Sequence, residues 1–114
     1  MHGRAVTHSP KSDWAQIVYG AALATRPSKP LDAPLRVFLD FIFPRPQAAK
    51  KLAWKATRPD SDNVAKAVMD ALGQAQWWVD DARICDLRVT KRYPQDGEFP
   101  GVMIRVELLV ETET

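Results

Sequence analysis

The 114-residue chain holds a single cysteine, Cys85, so it forms no intrachain disulfide and nothing calls for an oxidising compartment. No apolar run approaches the roughly 20 residues that cross a bilayer, and the opening MHGRAVTHSP lacks the apolar segment of a secretory signal. A cytoplasmic location is the expectation. No Gly-rich phosphate loop occurs, which argues against a nucleotide phosphohydrolase. Zinc has little support, because Cys85 stands alone and His2 and His8 lie in an unpatterned start. An EF-hand calcium loop beginning at Asp60 fails as well, since Val64 and Ala65 stand where an oxygen ligand and a glycine are required. There is no internal repeat and no low-complexity tract, and the length fits one domain, residues 1–114.

Acid is missing from one stretch and concentrated in the next. Residues 41–59 carry five basic side chains, Arg45, Lys50, Lys51, Lys55 and Arg58, and no carboxylate. From Asp60 to Asp86 there are six aspartates, with only Lys66 and Arg83 as cations. Clustered carboxylates repel one another and raise each other's pKa unless a cation sits among them. A hard divalent ion such as Mg²⁺, which takes oxygen ligands, resolves that cost. A basic segment beside such a cluster suits an enzyme acting on a polyanion, one part holding phosphate and the other metal.

Periodicity predicts an α+β domain with a small mixed sheet and two main helices. Residues 1–11 show no pattern and are expected to be poorly ordered or a shortened strand. Ser12 caps a helix to about Ala24 with Trp14, Ile17, Val18 and Ala21 on one stripe. Residues 26–34 hold three prolines and form a connection. Leu35–Phe43 alternates, and Phe38 and Ile42 on its second face suggest a strand covered on both sides. Residues 44–58 read as a mobile basic loop, or one partly helical around 48–53. A helix starting near Asp62 gathers Val64, Ala67, Val68, Ala71 and Leu72 on one arc, with Asp62, Lys66, Met69, Asp70 and Gly73 opposite and Gly73 closing it. Strands at 84–93 and 102–110 follow.

Asp60 and Asp62 flank Ser61 at the helix entry, so both carboxylates can face one ion, although a lone Asp-x-Asp more often caps a helix. A helix of about twelve residues and a short return are expected to bring Asp80 and Asp81 back near Asp60. Lys66 either serves the site or is an ordinary ion-pair partner, and Asp70 reads as its salt-bridge partner. Trp77 and Trp78 read as packing residues, while Trp54, inside the basic loop, is open between packing and base stacking.

The strings RPDSDNVAKAVMDAL, WWVDDARICDLRVTKRY and PGVMIRVEL together resemble the RusA family of Holliday-junction resolving endonucleases, and PLDAPLRVFLDFIFPRP resembles its central strand and following loop. The resemblance covers residues 31–110 well and 3–25 loosely. It implies that Asp60, Asp62 and Asp81 bind a catalytic Mg²⁺ (Mn²⁺ substituting), with Asp80 as a further neighbour, and that Lys66 is the catalytic lysine. It implies a homodimer cutting a four-way DNA junction, with Arg45, Lys50, Lys51, Lys55 and Arg58 meeting phosphates, and no small-molecule cofactor. A phage or prophage origin goes with it. The family's opening strand looks missing or shortened here, so either the start lies upstream of Met1 or the chain is a shortened variant. A non-catalytic DNA-binding relative is the alternative function, but a pure binder has no need to keep four carboxylates beside its DNA.

Overall fold

A computed structural model describes residues 11–111, with side chains from residue 15 onward. The calls on residues 1–10 and on the side chain of Trp14 lie outside the described residues. Helix α1 spans Lys11–Thr25, strand β1 Leu35–Ile42, helix α2 Ser61–Gln74, strand β2 Ile84–Arg92 and strand β3 Gly101–Leu108. The sheet order is β2-β1-β3, with β2 parallel and β3 antiparallel to the central β1. This is the α+β architecture the periodicity predicts. Among the described residues, no helix is long and apolar enough to cross a membrane.

Alternation sets which face of β1 is buried. Leu35, Val37, Leu39 and Phe41 lose nearly all solvent contact and join Val18 and Ala22 of α1, Val64, Val68, Ala71 and Leu72 of α2, and Val102 and Ile104 of β3 in one core. Each fully buried Leu, Val or Phe contributes on the order of 1.5–3 kcal/mol. Both described helices share this one core, so the expectation of a strand covered on both faces is corrected. The second face is held by charge. Arg36 bonds Asp86 at 2.7 Å and Glu107 at 3.4 Å, one on each neighbouring strand. Phe38 lies between two guanidiniums, Arg88 at 5.4 Å and Arg105 at 4.1 Å from its ring centre. Cations over an aromatic ring shield it where no helix does.

Arg92 is the strongest tie on that face. Its guanidinium holds Asp40 of β1 at 3.0 Å and donates to both oxygens of Glu98 at 2.6 and 2.7 Å, linking β1, β2 and the connection to β3. Those bonds, together with the Gln95 amide, pull the Glu98 carboxyl from its ordinary 4.5 to about 2, and they raise the Arg92 pKa. A carboxylate whose folded pKa is depressed stabilises the fold above its unfolded value and loses that contribution as pH falls through the folded one. Stability should therefore decline between pH 4.5 and about 2, and Glu98→Gln should flatten that part of the curve in thermal melts. Identical slopes for both proteins would rule this pair out as the cause.

The connections are pinned as well. Leu31 takes an amide bond from Val79 and gives one to Trp77, and the Trp77 indole donates to the Ala22 carbonyl at 2.9 Å. The basic loop contains only one short 3-10 turn, Gln47–Ala49, less helix than expected. It is not a free loop. Tyr93 donates to the Ala53 carbonyl, Lys55 donates to the Lys91 carbonyl, and Trp54 bridges Arg92, so residues 53–55 extend the edge of the sheet.

Candidate active site

α2 carries Asp62 and Lys66 and begins at Asp60. Asp60 occupies its N-cap position with extended backbone, φ −68° and ψ 145°, yet its side chain makes no capping bond. That carboxylate remains available, with Arg58 as a loose partner at 3.9 Å. Among the described residues Asp62, in the first turn, accepts only from the neighbouring Asn63 amide, at 3.1 Å. Val64, Ala65, Val68, Ala71 and Leu72 bury the opposite face, so Asp62, Lys66 and Asp70 stand on one exposed stripe. Lys66 pairs with Asp70 at 3.2 Å, and Asp62 has no ion pair among the described residues.

Asp80 and Asp81 sit at the other end of the helix. Asp80 caps the short 3-10 turn Asp81–Arg83 by accepting from the Ala82 amide at 2.8 Å. Asp81 Oδ1 accepts from the buried Trp78 indole at 2.8 Å. With Asp70, Gly73 and Trp78 these two acids line an open cleft of about 380 Å³. Residue 73 lies eleven positions after Asp62, which at 1.5 Å per residue is about 16 Å along the axis. A Cβ placed on Gly73 would stand 3.3 Å from Asp81 Oδ1. Asp81 is therefore beside the end of α2, and Asp60 and Asp62 are at its start.

The expected meeting of Asp60, Asp62 and Asp81 within one chain is thus corrected. Topology is the cause: between two parallel strands a crossover helix starts at the far end of the first strand and finishes at the near end of the second. Among the described residues, no group of three or more His, Cys, Asp or Glu side chains is placed to hold a metal ion. A single chain does not supply the three-aspartate set.

Gly73 is also corrected. It lies inside the helix rather than closing it: the helix runs on to Gln74, and the reversal falls on Gln76 at φ 64°. The role of Gly73 is the close approach of Asp81 and Trp78. Gly73→Ala should gain up to roughly 1 kcal/mol of helix stability, since the exposed Asp81 can shift by the few tenths of an ångström required. A raised melting temperature with a displaced Asp81 is expected. A variant that is less stable, with Asp81 unmoved, would refute this role.

The basic side chains divide. Arg45 spends its guanidinium on the carbonyls of Ala49, Leu52 and Pro94 at 2.7, 2.6 and 3.0 Å and lies over the Tyr93 ring. It holds the loop's shape and has little left for a phosphate. Lys55 bonds the Thr57 hydroxyl and lies over the Phe43 and Tyr93 rings, whereas Lys50, Lys51 and Arg58 are exposed. Sequence reasoning missed Lys91. Its ammonium donates to the Thr57 carbonyl at 2.8 Å and the Pro59 carbonyl at 2.6 Å, fixing the segment that delivers Asp60. The signal was present: Lys91 is a charge on the face of β2 where Leu87 and Val89 set an apolar alternation.

A family model described as endodeoxyribonuclease RusA matches residues 1–107. Proteins named crossover junction endodeoxyribonuclease RusA from Escherichia coli (strain K12) and Shigella sonnei (strain Ss046) are each 53% identical to this chain over 34 residues. So is the crossover junction endodeoxyribonuclease of Enterobacteria phage 82. The matched segment covers 30% of this chain and 28% of each relative. With the family model spanning nearly its whole length and every candidate residue, the chain belongs to the endodeoxyribonuclease RusA family.

Proposed function

We propose that this protein is a divalent-metal-dependent endonuclease that cuts four-way DNA junctions, with Mg²⁺ as its ion and Mn²⁺ as a substitute. The observation that carries the reading is the family match over residues 1–107, which includes Asp60, Asp62, Lys66, Asp80 and Asp81. Asp60, whose side chain makes no capping bond, and Asp62, which has no ion pair among the described residues, support it. Both carboxylates remain exposed at a helix start, with only a neighbouring amide on Asp62 and a 3.9 Å contact from Arg58 on Asp60 among the described residues. Exposed acids beside DNA repel it, and a hard divalent cation offsets that repulsion.

The working form is a homodimer. One chain separates Asp62 from the neighbourhood of Asp81 by about 16 Å of helix. The three aspartates reach one ion only if Asp81 of a second copy approaches Asp60 and Asp62 of the first. Two such sites related by a twofold axis suit the approximate twofold symmetry of a junction cut on two strands. Lys66 lies one turn beyond Asp62 on the same stripe, where its ammonium can meet the scissile phosphate. Lys50, Lys51, Lys55 and Arg58 hold flanking phosphates, and Asp80 serves as the cap that sets Asp81.

Cleavage of a four-way junction and of a linear duplex of the same sequence, each with and without Mg²⁺, tests the reading. Paired nicks in the junction alone, and only with the metal, are expected. Equal cutting of both DNAs would remove the junction specificity. Binding without any cutting would favour the non-catalytic relative.

A further inference from the structure

We propose that Trp54 is a stacking platform for an unpaired DNA base, in a cleft whose lysines hold the adjoining phosphates. The inference rests on reading the chain as a DNA-acting protein. Three observations carry it. Trp54 is 62% exposed, whereas Trp78 is 3% exposed and the indole N–H groups of both Trp77 and Trp78 are bonded within the fold. The Trp54 indole has no such partner among the described residues, and neither core nor ion pair explains it.

Second, its backbone is held in place. Ala53 accepts from Tyr93, Lys55 donates to Lys91, and Trp54 itself bridges Arg92. Arg45 bonds three carbonyls of the same loop from beneath and one beyond it, at Pro94. A large aromatic face on a backbone clamped from both sides loses little further entropy when a planar ligand settles on it.

Third, the surroundings select the ligand. Trp54 lines an open cleft of about 350 Å³ with Arg45, Lys50, Lys51, Tyr93 and Asp96, and residues 41–59 contain no acid. Exposed aromatic rings interleaved with lysines are the pattern that single-stranded nucleic acid uses, bases on rings and phosphates on cations. An apolar protein partner would desolvate Lys50 and Lys51 with Asp96 as the one carboxylate among the cleft's lining residues to offset them. A paired duplex offers no free base face, so the occupant is an unpaired base.

The test compares wild type, Trp54→Ala and Trp54→Phe on two DNAs: a fully paired duplex, and the same duplex with one unpaired 2-aminopurine. Base–aromatic stacking predicts roughly tenfold weaker binding of Trp54→Ala to the DNA with the unpaired base. Binding to the paired duplex and its salt dependence should be unchanged, and Trp54→Phe should retain most of the affinity. Quenching of 2-aminopurine should follow the same order. Equal losses on both DNAs, no loss on either, or an altered self-association in sedimentation would each overturn the proposal. Because the readout is binding, a protein that fails to cut junctions would sink the nuclease reading while leaving this comparison decisive.

Discussion

Asp62→Asn should leave the chain folded, abolish strand cleavage and keep junction binding intact or tighter. The asparagine carbonyl can still accept from the Asn63 amide, the carboxylate's only bond among the described residues, and the side chain is exposed, so the fold has little to lose. What disappears is a negative charge at a helix start, where the macrodipole favours an anion by roughly 0.3–1 kcal/mol. Chemistry should suffer far more. Losing one preorganised electrostatic contact at a reacting centre typically lowers kcat by about 10²–10³, and a lost metal ligand should cost at least that. Binding moves the other way, since one repulsive charge beside the phosphates is gone. Time courses of junction cleavage in Mg²⁺, set beside gel-shift titrations without metal, separate the two effects. A variant that cuts at the wild-type rate would mean that Asp62 is a first-turn acid and nothing more.

The elements were readable because their causes are local. Apolar spacing at Val64, Val68, Ala71 and Leu72 specifies α2, and alternation through Leu35, Val37, Leu39 and Phe41 specifies β1 and its buried face. The grouping of Asp60, Asp62 and Lys66 was readable because all three lie within seven residues at one helix start. What did not follow is pairing between distant segments. No local pattern says that Arg88 and Arg105 will sandwich Phe38, or that Arg45 will bond carbonyls at Ala49, Leu52 and Pro94. The placement of Asp81 failed for a related reason. Six residues from Ala75 to Asp80 could span about 20 Å if extended, enough to return to the start of α2. Instead the chain reverses at Gln76, and Trp77 and Trp78 tie it to Ala22 and Leu31. Two aromatic anchors, not the length of the return, decide where the last acid lands.

That placement gives the sharpest expectation about assembly. Asp62→Asn and Asp81→Asn should each be inactive alone, yet mixing them after subunit exchange should restore cutting. In a mixed dimer, one of the two composite sites takes Asp60 and Asp62 from the Asp81→Asn copy and Asp81 from the Asp62→Asn copy, so it is intact. The other site lacks both. Random exchange makes about half of the dimers mixed, each with one working site of two, so about a quarter of wild-type nicking should return. The intact sites act on one strand only, so single nicks should replace paired cuts. A set of ligands within one chain predicts the opposite, because no mixture of the two variants then contains a complete site. Asp81→Asn is a fair partner in this test, since its amide oxygen can still accept from the Trp78 indole and hold the turn. If the mixture stays as inactive as its parts, despite proven exchange, the 16 Å separation along α2 must close within one chain on metal binding, and the shared site is wrong.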